Sequence, residues 1–145
     1  MFQRILVVCT GNICRSPVAE ALLRQRLPER QISSAGLGAL VGKPVELQAA
    51  QLAEADGLDV SDHQARQLTP AMIQEADLIL VMSEGQRRAV GKQAPQALGK
   101  ILLLGRWLND GAGRDIPDPY RKSVETFERV HGLLKDATLA WAEKL

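Results

Sequence analysis

Sulfur, imidazole and aromatic rings are all scarce in this chain, and its charges nearly cancel. Lysine and arginine number 18 against 17 acidic residues, a formal net charge of +1. So even a balance argues against nucleic acid or an anionic membrane surface as a partner. No apolar run approaches the ~20 residues that span a bilayer. The stretch "ILVVC" is too short for the apolar core of a signal peptide and has no small-residue cleavage site behind it. The expected location is cytoplasmic, without membrane insertion. Two histidines far from two cysteines do not make a zinc site, and a reducing cytoplasm disfavours a structural disulfide. Aromatics are only 3% of the chain, with Tyr120 its one tyrosine.

What is present describes a folded domain. At 145 residues, 46% apolar and 24% charged, the chain is long enough to bury a core and has the composition of one globular domain over residues 1–145. "RILVVC" (4–9) is a continuous apolar run, the pattern of a strand buried on both faces. From Pro17 the period changes, and Val18, Ala19, Leu22, Leu23 and Leu27 share one helical face closed by Pro28. "QISSAG" (31–36) reads as a second strand running into a glycine-rich loop. Pro44 suits a first helical turn, with Leu47, Ala50 and Ala53 expected inward and Gly57 as the stop. "DLILVM" (77–82) and "GKILLLG" (99–105) give two further strands around a polar helix at 84–92. A long loop then precedes a last helix whose Phe127, Val130, Leu134, Ala137 and Trp141 form one stripe. Strands alternating with helices imply a parallel sheet covered on both faces.

Both cysteines fall within "CTGNICRS", residues 9–16. In a parallel α/β sheet, ligands bind beyond the C-terminal ends of the strands, where this loop lies. The backbone N–H groups of a tight loop leading into a helix make an anion cradle. Gly11 and Asn12 are residue types that accept the positive φ such a loop needs. Arg15 adds a fork of donors matched to phosphate oxygens. A positive field of this kind favours a thiolate, which would make Cys9 a nucleophile aimed at the anion that the loop holds. No Gly-Lys-Ser/Thr follows the strand, which excludes a Walker loop, and the cysteine spacing excludes a thioredoxin-type pair.

"CTGNICRS" together with "DPY" (118–120) closely resembles the low-molecular-weight protein-tyrosine phosphatases, across essentially the whole chain. "SAGLGALVGK" and "IPDPYRKS" are most similar to the bacterial branch encoded with tyrosine kinases of capsule and exopolysaccharide assembly. The resemblance implies a flavodoxin-like α/β fold, a three-layer sandwich around a four-stranded parallel sheet of order 2-1-3-4. It implies hydrolysis of protein phosphotyrosine through a phosphocysteine on Cys9, without metal or cofactor. The partner would be a phosphotyrosine protein, with the tail of such a kinase as the natural case, acted on by a monomer.

Each site residue carries an ordinary reading beside the chemical one. Arg15 grips the transferring phosphoryl group. Thr10, Gly11, Asn12, Ile13 and Cys14 bind phosphate mostly through backbone, leaving their side chains less constrained. Ser16 is either a helix-start residue or a donor to the Cys9 sulfur. Asp118 is the expected general acid, since expelling a phenolate of pKa ~10 needs a proton donor; Asp115 is the runner-up. Tyr120 would wall the pocket against the substrate ring, with Leu40 opposite, where eukaryotic members often carry an aromatic. Ser34 and His63 match family positions that hydrogen-bond the loop asparagine, and His131 is assigned no role. Cys14 could capture an oxidised Cys9 as a disulfide, or simply fill space beneath the loop. Two other functions compete. An arsenate reductase of this fold needs further cysteines, and none follows Cys14. A non-catalytic phosphate-binding module would not need Cys9, Arg15 and Asp118 together.

Overall fold

Strand β1 (Arg4–Cys9) lies between β2 (Gln31–Gly36) and β3 (Leu78–Val81), with β4 (Ile101–Leu103) beyond β3. All pairings are parallel and the order is 2-1-3-4. The computed structural model describes residues 2–145. The alternation of β1 explains why its sequence is apolar throughout. Ile5, Val7 and Cys9 enter one core, while Leu6 and Val8 enter the other. The first core is closed by α1 (Arg15–Arg26), α2 (Leu47–Ala55) and α5 (Val124–Lys144); the second by α3 (Pro70–Glu75) and α4 (Glu84–Gln93). Three layers result. Full burial of side chains such as Leu23, Ile79 and Leu104 contributes about 1.5–3 kcal/mol each before entropy is counted.

Several boundaries differ from the sequence expectation, each for a local reason. Helix α2 begins at Leu47, not at Pro44, because the Glu46 side chain accepts the Gln48 N–H and caps it there. That start turns Leu47 outward, 67% exposed, and puts Ala49 and Ala53 inside; the expected inward Leu47 is corrected. Only Ile101–Leu103 of the 99–105 run is strand, since its two ends tighten into 3₁₀ turns at Pro95–Lys100 and Leu104–Trp107. The short α3 went unread, although Thr69 before Pro70 is a cap-and-first-turn pair, and Thr69 Oγ1 does accept the Met72 N–H at 3.2 Å. The stripe on α5 is buried as its spacing requires, from Phe127 to Trp141. Among the described residues, no helix is long and apolar enough to cross a membrane.

The register decides where chemistry can occur. Cys9 pairs with Gly36 and Val8 with Val81. The first three strands therefore end at one level, and the chain segments after them meet at one sheet edge. Gly36 has to be glycine there: a Cβ on it would sit 2.5 Å from the Thr10 carbonyl oxygen and 3.1 Å from the Asn12 nitrogen.

Candidate active site

The loop from Cys9 to Arg15 turns its carbonyls away from a common centre. Thr10 O accepts the Gly38 N–H at 3.0 Å, and Gly11 O that of Leu40 at 3.1 Å. Asn12 O accepts from His63 Nε2 at 2.7 Å, and Ile13 O from the Glu46 N–H at 2.8 Å. In a trans peptide, N–H and C=O point in opposite directions, and no peptide bond here is cis. With successive carbonyls held outward, the intervening amides face the cavity. This is the backbone concavity that binds anions, and the N-terminus of α1 closes it.

Asn12 is the keystone. Its φ is 59° and it is fully buried. Its Nδ2 donates to Ser16 Oγ at 2.7 Å and to Ser34 Oγ at 3.0 Å, while its Oδ1 accepts the Arg66 N–H at 3.0 Å. A carbonyl oxygen can only accept, so His63 holds the Asn12 backbone as an N–H donor. The Asn12 side chain is thus less free than the sequence suggested, since both of its polar atoms are held. Ser16 Oγ accepts a hydrogen bond from Asn12 Nδ2, which leaves its own hydroxyl hydrogen for Cys9 Sγ, 2.8 Å away.

Arg15 is buried, 4% exposed. Its Nη1 donates to Ile116 O at 2.8 Å, and Nη2 stands 3.7 Å from Asp118 Oδ2. Its Nε is buried and meets no acceptor among the described residues, a donor left without a protein partner beside the cavity. Asp118 is about half exposed and is steadied by the Tyr120 N–H, which it accepts at 3.1 Å. Asp115 is engaged elsewhere: its carboxylate accepts the Glu84 N–H at the start of α4. A cavity of about 150 Å³ opens above the loop, lined by Cys9, Thr10, Gly11, Ile13, Cys14, Arg15, Gly38, Leu40, Asp118 and Tyr120. Leu40 and Tyr120 are 41% and 37% exposed, the half-wet walls that a ring entering from solvent requires.

The two cysteines have different environments although both are buried thiols. Burial first, then the carboxylates of Glu46 and Asp118 and the neighbouring Cys9, push the Cys14 thiol up to about 12. At neutral pH it stays protonated. Larger clefts lie elsewhere, one of about 820 Å³ beside Arg4, Arg24 and Arg30, but neither cysteine lines them.

The sequence reading missed four supports: Gly36, Arg66, Glu46 and Gln86. Only Gly36, at a strand end before a loop, left a local signal. The other three act through contacts distant in the chain. His131, given no role, donates from Nε2 to Asp56 Oδ2 at 2.6 Å and joins α5 to the end of α2.

A cysteine, a ring of inward amides, a buried arginine and a carboxylic acid around one small cavity define a cysteine-based phosphatase. Residues 4–145 match the family described as low molecular weight phosphotyrosine protein phosphatase, and the chain belongs to that family. Among its relatives, the low molecular weight protein-tyrosine-phosphatase Wzb of Salmonella typhimurium is 47% identical over 145 residues, 100% of this chain and 95% of that one. The Etp enzyme of the same description from Escherichia coli K12 is 46% identical, over 99% of this chain and 95% of its own. In structure, Vibrio vulnificus Wzb in complex with benzylphosphonate superposes with a TM-score of 0.94 at 45% identity, covering 100% of both chains.

Proposed function

We propose that this phosphatase works by in-line transfer of the phosphoryl group from tyrosine to Cys9, then from Cys9 to water. The convergence of Cys9, the loop amides and Arg15 on one cavity carries this reading. The loop amides of Thr10 to Cys14 hold the phosphoryl oxygens, and Arg15 supplies paired donors as charge develops on them. Cys9 Sγ attacks phosphorus as the P–O bond to tyrosine breaks. Asp118 gives its proton to the departing phenolate oxygen and afterwards takes one from the attacking water, whose oxygen displaces sulfur. The Ser16 hydroxyl, already on Cys9 Sγ, stabilises the sulfur as it leaves. Ser34 and His63 act through Asn12, keeping the loop curled.

Depth favours tyrosine. Cys9 is 2% exposed at the cavity floor, so a phosphoserine side chain is too short to bring phosphorus to it while the peptide backbone stays outside. Tyr120 and Leu40 flank the ring. The benzylphosphonate held by the Vibrio relative has one aromatic ring joined to one phosphonate, the shape this cavity is proposed to take. Arg121 lies over the Tyr120 ring with Cζ 5.2 Å from its centroid. With Lys122 it gives the mouth a positive charge suited to an anionic, multiply phosphorylated tail, and salt would weaken that preference. The natural partner we infer is the tyrosine-rich tail of an exopolysaccharide or capsule kinase, met in the cytoplasm, where Cys9 stays reduced. One chain supplies every residue of the site, which suits a monomer.

The test is hydrolysis by the purified chain, in the presence of a chelator, of a phosphotyrosine tail peptide and its matched phosphoserine peptide. The expected result is rapid release from the first and little from the second. Equal rates would sink the phosphotyrosine assignment, and dependence on added metal would sink the phosphocysteine route.

A further inference from the structure

We propose that Gln86, on the first turn of α4, is a positioning residue that sets the acid loop against the phosphate loop. The proposal rests on the reading of Asp118 as general acid. Gln86 is buried, 8% exposed, and lies outside the cavity, yet its amide spans two parts of the site. Its Oε1 accepts the Met82 N–H at 2.8 Å and its Nε2 donates to Thr10 Oγ1 at 3.2 Å. The backbone N–H of Met82 can only donate, which fixes which end of the amide is oxygen. Met82 is fully buried just past the end of β3, so without Gln86 its N–H would lose its partner in the core.

From Met82 the connection continues into the acid loop. Met82 O accepts the Ile116 N–H at 2.7 Å, and Ile116 O accepts Arg15 Nη1 at 2.8 Å. Arg15 belongs to the phosphate loop, as Thr10 does. The hydrogen bonds therefore close a ring from Thr10 through Gln86, Met82 and Ile116 to Arg15, with Asp118 two residues beyond Ile116. Glutamine is the side chain this ring needs. One planar amide must accept from a backbone N–H at one end and donate to a hydroxyl at the other, and asparagine is a methylene shorter. The same turn of α4 holds the loop a second time, through Glu84 N–H and Asp115 at 3.1 Å.

A residue acting through acid-loop placement should change how the rate depends on the leaving group, while one acting only on phosphate binding should not. The experiment measures kcat/KM on a series of aryl phosphates from activated to poor leaving groups, for Gln86→Met, Gln86→Glu, Thr10→Val and Asp118→Asn. Gln86→Met, close in shape but unable to make either bond, should lose about tenfold on the poorest leaving group and about twofold on the most activated, steepening the series. Gln86→Glu keeps the acceptor for Met82 and should restore the parent slope, with weaker phosphate inhibition because of the added carboxylate. Thr10→Val, which opens the ring at one end but leaves the Met82 N–H paired, should steepen the series less than Gln86→Met does. If Gln86→Met does not fold, Gln86→Ala, which leaves room for a water on the Met82 N–H, should show the same steepening. An unchanged slope in the folded Gln86 variant overturns the proposal, and so does a Thr10→Val slope steeper than that of Gln86→Met. Asp118→Asn separates the two levels: if it leaves the slope unchanged, the acid assignment itself falls and takes this proposal with it. If it steepens the slope while Gln86→Met does not, only the role of Gln86 is lost.

Discussion

The phosphate loop and the acid loop meet at one cavity but are built in opposite ways. In the first, Asn12, Arg15 and Ser16 are buried, the side chains of Asn12 and Ser16 are bonded to protein partners, and the backbone carbonyls are tied to three other segments of the chain, at residues 37–40, 46 and 63. In the second, Asp118, Tyr120 and Arg121 are exposed, Arg121 has a φ of 62°, and few bonds hold the segment. The difference suits the tasks proposed for them. An anion cradle gains from donors that need no rearrangement as charge develops. A proton donor must reach a leaving group that arrives from solvent and must then exchange its proton with water. One loop is fixed in advance; the other is held at its base by Met82 and Arg15 and left open at its tip.

The sharpest way to break this comparison is Cys9→Ser. Turnover should fall by about 10⁴-fold or more, while phosphate, read as a ligand by calorimetry, still binds the backbone cradle and Arg15. Appreciable turnover would remove Cys9 as the nucleophile. Next comes Asp118→Asn, expected to cost about 10²–10⁴-fold on poor leaving groups and much less on activated aryl phosphates. If Asp115→Asn shows the graded pattern instead, the acid is Asp115. Gly36→Ala probes the fixed loop from behind, since its Cβ would press on Thr10 O and Asn12 N. It should lower kcat/KM by roughly 10- to 100-fold on every substrate alike and destabilise by about 1–3 kcal/mol in urea unfolding. A graded loss would mean the strain passes into the acid loop.

Oxidation tests the same contrast within the fixed loop. In the redox pairing expected from the sequence, peroxide would convert the Cys9 thiolate to a sulfenic acid, and Cys14, as thiolate, would attack that sulfur and expel hydroxide to leave a disulfide. With its thiol pushed up to about 12, Cys14 is reactive only in its minor ionised form. Disulfide formation after peroxide should therefore speed up about tenfold per pH unit between pH 7 and 9, followed by mass spectrometry as loss of two hydrogens. A pH-independent rate would mean another group activates Cys14. In Cys14→Ser, activity should recover less completely with reductant.

The smallest effect concerns how α2 and α5, which flank the open loop, are joined. Hydrogen bonds from His131, then Lys135, hold the Asp56 carboxyl below the usual carboxylate range. A depressed carboxylate pKa stabilises the fold above its unfolded value near 4, and that contribution is lost as pH falls through the lower folded value. Asp56→Asn should lower the urea midpoint slightly at pH 7, and by less and less as pH falls below about 4. A difference that persists at low pH would assign the effect to packing instead of charge.

The sequence alone determined the parts of this protein whose causes are local. An apolar run in "RILVVC" could only be a strand covered on both sides, the α5 stripe could only face a core, and Cys9, Gly11, Asn12 and Arg15 are neighbours along the chain. The sheet order and the family were legible for the same reason: short motifs recur where one loop does one job. Leu47 shows where local reading stops, since the Glu46 cap, not the apolar pattern, sets the phase of α2. Tertiary structure alone decided the rest. Asp118 meets Arg15 only because the strand ends stand level and the Ile116 backbone pairs with Met82. Ser34 and His63 on Asn12 were legible through the family motif, but Arg66 meets Asn12 from 54 positions away and Gln86 reaches Thr10 across 76. Contacts of that separation leave no periodicity or spacing in a single sequence, because what places them is the pairing of strands and not the order of residues.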